Sequence, residues 1–252
     1  MIGAIIGDIV GSRFEFDNHL STEFVLFHPD CDFTDDTVMT VAVADAIMSG
    51  RPFGEVLHEY GRKYPVRGYG GRFHSWLYNE QPKPYDSFGN GSAMRVSPCA
   101  FLAKGNREQA LTWATASAVC THNHPEGVKG AMAITDCILM AQDHRPKDEF
   151  KSLAEHLYGY DMNFTIDEIR PTFSFDETCQ GTVPQAIECF LESHDFESAI
   201  RIAISLGGDS DTIANITGGI AEAYYGVPKE MKAAAMEILT EEMRKVVNAM
   251  YE

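Results

Sequence analysis

The sequence predicts an all-α protein, and three observations lead there. Apolar residues recur at helical spacing along most of the 252-residue chain, helix-capping residues and Gly/Pro stops punctuate those stretches, and convincing strands are scarce. Residues 2 to 10 place Ile2, Ile5, Ile6 and Ile9 on one face, and Gly3, Gly7 and Gly11 recur every four residues on another. That glycine stripe suits a buried helix approached closely by its neighbours. Thr34 to Ser49 reads as a helix with Val38, Val41, Ala42 and Met48 apolar and Gly50 as its stop. Asn106-x-x-Gln109 resembles a capping box before a helix ending near Cys120. Pro125 then suits a first helical position, with Val128, Ala131, Met132, Thr135 and Leu139 as the inner face.

The second half repeats the pattern. Thr182-x-x-Gln185, with Pro184 between, is expected to start a helix carrying Ile187, Phe190 and Leu191. Phe196, Ala199, Ile200, Ala203 and Ile204 follow, stopping at Gly207-Gly208. Ile213, Ile216, Ile220 and Tyr224 mark another helix, closed by Gly226 and Pro228, and a last one runs from about Lys229 through Val246. Gly218 and Gly219 inside the helix before it predict close packing, with the first helix as partner. Phe24 to Phe27 is the best strand candidate, with a loop as the alternative. Tyr64 to Arg95 and Arg170 to Gly181 break the helical pattern. Both carry aromatics that favour a functional loop over a linker. One domain spanning 1–252 is the expectation.

Composition narrows the function. Lys plus Arg number 20 and Asp plus Glu 37, a net charge of −17, and no basic cluster is present to hold a nucleic-acid backbone. No apolar run reaches the ~20 residues of a membrane span. Six cysteines without a C-x-x-C pair read as reduced thiols, and the expected location is cytoplasmic.

Two acidic clusters stand out: Thr34-Asp35-Asp36-Thr37, and Asp209-Ser210-Asp211-Thr212 after Gly207-Gly208. Each opens a helix, so N-capping is one reading. Together they hold more carboxylates and hydroxyls than caps need. Oxygen donors without Cys or His suit hard cations, Mg²⁺ or Mn²⁺, and four carboxylates balance two divalent ions. Ser87-Phe88-Gly89-Asn90-Gly91-Ser92 can present backbone N–H groups to a phosphate, with Arg95 or Arg72 as helpers, although Gly-Asn-Gly is also an ordinary turn. In Thr121-His122-Asn123-His124-Pro125 the two histidines suit capping or a ligand hydrogen bond better than zinc, because no matching Cys or His pair follows.

These motifs, in this order, resemble the ADP-ribosylglycohydrolase family of the dinitrogenase-reductase-activating glycohydrolase type. The resemblance runs from Gly3 to Pro228 and rests on Gly7-Asp8-x-x-Gly11-x-x-x-Glu15, Thr34-Asp35-Asp36-Thr37, Gly68-Tyr69-Gly70-Gly71-Arg72, Gly89-Asn90-Gly91-Ser92-Ala93-Met94-Arg95, Thr121-His122, Thr182-Val183-Pro184 and Gly208-Asp209-Ser210-Asp211-Thr212. It implies a single compact orthogonal helical domain with two Mg²⁺ or Mn²⁺ ions at the base of a cleft. By resemblance, Thr34, Asp35 and Asp36 match one metal-ligand set. Asp209, Asp211 and Thr212 match the other, with Asp211 bridging. Gly70, Gly71, Ser87, Gly89, Asn90, Gly91 and His122 match substrate-side positions. Glu15, Asp36 and Asp211 are the implied catalytic carboxylates, Glu15 being the first candidate for the base. The chain departs from some relatives at Ser87, where they carry an acid; Asp86 stands beside it.

The implied activity is hydrolysis of an N- or O-glycosidic bond to ADP-ribose, on a modified protein or a small derivative. A catalytically silent ADP-ribose binder is the alternative, as is a metal-dependent hydrolase of another phosphorylated metabolite.

Overall fold

A computed structural model describes residues 1–252. Along the chain run α1 (Ile2–Gly11), α2 (Asp35–Ser49), α3 (Phe53–Lys63), α4 (Gly71–Leu77), α5 (Gly91–Met94), α6 (Ser97–Leu102), α7 (Arg107–Val119) and α8 (Pro125–Gln142). Then come α9 (Lys147–His156), α10 (Ile166–Ile169), α11 (Cys179–Glu192), α12 (Phe196–Leu206), α13 (Ser210–Tyr225), α14 (Lys229–Ile238) and α15 (Glu241–Met250). No strand forms: Phe24 to Phe27 is irregular chain, and the sole β pairing is an isolated bridge between Gly89 and Thr178.

Helix α13 is the axis of the molecule. Every residue from Ser210 to Glu222 is buried, as in a helix enclosed on all sides, and α1, α8, α11 and α12 pack around it. Helix α1 lies against it antiparallel, as the glycine stripe shows. A Cβ on Gly3 would fall 2.3 Å from the Gly218 carbonyl oxygen, one on Gly7 2.0 Å from that of Ala214, and one on Gly11 2.5 Å from Asp211 Cα. Only hydrogen fits at such a seam. The expected partner of Gly218 is therefore the observed one, and Gly219 meets Ala4 of α1 too, though only at ordinary contact distance, together with Ser97 and Ile138. The direction of the pair brings the end of α1 beside the start of α13.

Local chemistry accounts for most boundaries. Thr34 caps α2 through Asp36 N, and Gly50 ends it at φ 68°. Asn106 caps α7 through Gln109 N, and Pro125 opens α8 behind its His124 cap. Three expectations need correction. Helix α11 starts at Cys179, capped by Thr178, so Pro184 sits inside it rather than at its start. The C-terminal helix is two: Leu239 is extended, and Thr240 caps α15 through Met243 N. The glycine-rich stretch from Tyr64 to Arg95 also contains the short helices α4 and α5. The six cysteines are all free. No helix is long and apolar enough to cross a membrane.

Candidate active site

The ends of α1, α2 and α13 meet at the floor of a cleft of about 640 Å³. Glu15, four residues past α1, lies with Asp209 and Asp211 so that one carboxylate oxygen from each falls within 4.8 Å of the others. Asp35 and Asp36 line the same floor from α2, outside that tightest trio. Asp36 Oδ1 accepts a hydrogen bond from Thr212 Oγ1 at 3.3 Å, which joins the two acidic clusters. Gly207 and Gly208, at φ 79° and 67°, make the left-handed turn that swings Asp209 onto this floor.

These carboxylates face one another with no basic partner. Burial pushes Asp35, Asp36 and Asp211 well above the usual carboxylate range, and mutual repulsion adds to it. Glu15 is raised to about 7 by burial, then by Asp209 and Asp8. Asp209 is raised by burial, which bonds from Asn90, Asp211 and Thr212 offset in part. Asp36 Oδ2 and Asp211 Oδ1 are buried without any hydrogen-bond partner. A buried acid is ordinarily paired or bound to metal, and the few neutral donors here, Thr212 and Asn90, leave these oxygens unsatisfied. The donor set fits hard divalent cations.

Thr34 stands just behind the floor. Its hydroxyl donates to Asp8 Oδ1 at 2.6 Å and accepts from Asp36 N at 3.3 Å. Asp8, fully buried on α1, also accepts from the backbone N–H groups of Thr34 and Thr37, both at 3.0 Å. One carboxylate thus ties down the start of α2 at Thr34 and Thr37.

The cleft wall carries the glycine loop. Ser87, Gly89, Asn90 and Gly91 line it, with Gly70 and Gly71 opposite at the start of α4. Asn90 spends both amide hydrogens internally, on Asp209 Oδ2 at 2.6 Å and Thr182 Oγ1 at 3.1 Å, and so ties the loop to the floor. His122 is buried behind Gly91; a Cβ there would come 3.0 Å from its Nε2. His124 caps α8 instead. Of the two suggested helper arginines, Arg72 is exposed at the cleft, while Arg95 is fully buried and bonded to Ser117 O and Thr121 Oγ1. Asp86 is exposed, stands at φ 55° and does not line the cleft.

Several cleft residues escaped sequence reasoning. Phe16 and Phe175, both exposed, stack across the mouth with ring centroids 6.3 Å apart. Glu177 lines the cleft close enough to Asp209 to raise it. Phe175 and Glu177 lie in the stretch from Arg170 to Gly181, expected to be a functional loop, but none of the three falls in a patterned motif that would single it out. A more open hollow of about 760 Å³ over α7, around Arg107 and Thr112, holds none of these groups.

Comparison with known proteins gives consistent findings. A family model described as ADP-ribosylglycohydrolase matches residues 1–252. The chain is 27% identical to ADP-ribosylhydrolase ARH3 of Mus musculus, over 90% of this chain and 83% of that one. It is 24% identical to ADP-ribosylarginine hydrolase Tri1 of Pseudomonas putida, over 90% and 70%. A solved structure titled ADP-ribosylglycohydrolase-related protein complex shares the fold at a TM-score of 0.73 and 23% identity, covering 99% of this chain and 96% of its own.

Proposed function

The chain belongs to the ADP-ribosylglycohydrolase family, and from that premise we propose that residues 1–252 form one domain that hydrolyses a glycosidic bond to ADP-ribose with two divalent cations at the cleft floor. The observation that carries this reading is a single cleft joining a floor of buried carboxylates, two of whose oxygens have no hydrogen-bond partner, to a glycine loop. An anionic diphosphate suits the loop and Arg72, and the ribose that loses its substituent then lies toward the acids. Thr34, Asp35 and Asp36 would hold one cation, and Asp209, Asp211 and Thr212 the other, Mg²⁺ or Mn²⁺ fitting equally. When bound, such ions offset the buried negative charge and order oxygen ligands of the ribose and of water.

The chain's own residues do the rest. Gly70, Gly71, Ser87, Gly89, Gly91 and His122 bind and orient the substrate, while Asn90 fixes Asp209 relative to that loop. Carboxylates around the reacting carbon favour the oxocarbenium character that develops as the bond breaks. Glu15, half-buried on a loop and lining the cleft, would take the proton of the attacking water. Asp36 and Asp211 shape the floor's charge.

The test is release of free ADP-ribose from arginine-linked and serine-linked substrates, with and without Mg²⁺ or Mn²⁺. Metal-dependent release that disappears in a folded Asp211→Ala variant is the expected result. ADP-ribose binding without release from any linkage would point to a silent binder, and neither binding nor release would overturn the ligand assignment.

A further inference from the structure

His122 sits at the end of a buried hydrogen-bond chain that starts at a fixed positive charge. Arg95 is fully buried, and its Nη2 has two hydrogens, which go to Ser117 O at 2.6 Å and Thr121 Oγ1 at 2.7 Å. Arginine donates and never accepts. Thr121 Oγ1 is therefore an acceptor toward Arg95. The same oxygen lies 2.7 Å from His122 Nδ1, a far better acceptor for its hydroxyl hydrogen than the neighbouring Cys120 sulfur, which accepts only weakly. Thr121 is fully buried, so its hydroxyl is out of reach of bulk water.

Proton accounting then decides the tautomer. If Nδ1 carried the hydrogen it would donate to Thr121 Oγ1, and the buried hydroxyl hydrogen would be left with only the weak Cys120 sulfur acceptor. If Nδ1 is bare, the hydroxyl donates to it, so the Thr121 hydrogen and both Arg95 Nη2 hydrogens have partners; only Arg95 Nε stays unpaired in either case. Burial, then the charges of Arg95 and Arg72, hold His122 well below its usual range, so the ring is neutral and carries one hydrogen. We infer that Arg95 and Thr121 are positioning residues that lock His122 in its Nε2–H form, making it a dedicated donor to an oxygen of the ligand over the glycine loop. The geometry agrees, because Nε2 is the ring atom facing Gly91 and Gly89. The choice of ligand oxygen as acceptor rests on the proposed function; the tautomer does not.

The experiment begins with ¹⁵N NMR of the histidine-labelled, ligand-free protein, with His122 assigned by its loss in His122→Gln. A pyridine-type Nδ1 and a pyrrole-type Nε2 are expected. In Thr121→Val the signals should move to a mixed-tautomer pattern, and Thr121→Ser should restore them. Calorimetry with ADP-ribose should show about tenfold weaker binding for Thr121→Val, the worth of one hydrogen bond, and a Kd within about twofold of the parent for Thr121→Ser. A pyrrole-type Nδ1 in the parent protein overturns the inference whether or not the variants fold. So does an unchanged tautomer in Thr121→Val. A shifted tautomer with unchanged affinity overturns the donor role. If the parent protein does not bind ADP-ribose at all, the proposed function and the donor role fail together, while the NMR result still decides the tautomer.

Discussion

Asp8 Oδ1 accepts the hydroxyl hydrogen of Thr34 across 26 positions of sequence, while Asp8 Oδ2 receives the N–H groups of Thr34 and Thr37. The bond uses the hydrogen of Thr34 and leaves its oxygen lone pairs to other partners. Asp8→Ala strands two buried N–H groups, so a loss of about 2–4 kcal/mol is expected. Asp8→Asn keeps an acceptor oxygen and should lose less. Urea unfolding gives the stability, and calorimetry with Mn²⁺ should show weaker binding in the alanine variant than in the asparagine one.

The floor carboxylates repel one another in a buried setting. Melting in a chelator should give the lowest Tm, and Mn²⁺ at about a hundred times its Kd should add about 2.7 kcal/mol. Asp211→Asn removes one repelling charge, so its chelated form should melt at or above the parent. It should also lose most of the Mn²⁺ effect. An Asp211→Asn protein that gains as much from Mn²⁺ as the parent would exclude Asp211 from cation binding.

Gly7→Ala puts a methyl group 2.0 Å from a backbone oxygen, where no side chain can give way. Overpacking of this kind costs about 1–3 kcal/mol or more. Because the same seam sets Glu15 beside Asp211, kcat should fall even in the fraction that folds. Gly50→Ala, at a helix end with open space around it, serves as the control and should cost only its strained φ.

Glu188 on α11 is held up to about 7, first by burial and then by Glu192. Its unfolded value is the ordinary one, near 4.3. Between these limits the folded form keeps a proton that the unfolded form has lost, so this group's contribution to stability falls as pH rises through the window. Glu188→Gln should therefore raise Tm at pH 8 and leave it nearly unchanged at pH 4.5. Thermal melts of both proteins across that range would refute the idea if the difference did not grow with pH.

Much of the fold was legible because caps and stops are local. Thr34, Asn106, Pro125 and Gly50 mark boundaries from within four residues of them. The errors have physical reasons too. Pro184 suggested a helix start because proline is favoured there, but Thr178 supplied the cap six residues earlier. The break at Leu239 carries neither Gly nor Pro, and apolar residues continue across it. In the site, the acidic clusters stood out by excess of oxygen donors. The bonds from Asp8 to Thr34 and from Asn90 to Asp209 did not, because their partners lie 26 and 119 positions apart and no local pattern records them.

The antiparallel seam between α1 and α13 also bears on biosynthesis. Helix α1 is buried along its entire length, yet α13, which covers its glycine stripe, is translated roughly 200 residues later. At typical elongation rates that is a wait of about 10–40 s. Throughout that interval the glycine-lined side of α1 is uncovered, and the helix, with Ile2, Ile5, Ile6 and Ile9, has only earlier elements such as α2 to pack on. Incompletely buried surface of that kind aggregates or recruits chaperones. The cleft floor shares the delay, since Glu15 and Asp36 are made long before Asp209 and Asp211. Nascent chains arrested before α13 should therefore be unable to hold a cation, however complete the rest of the helical array.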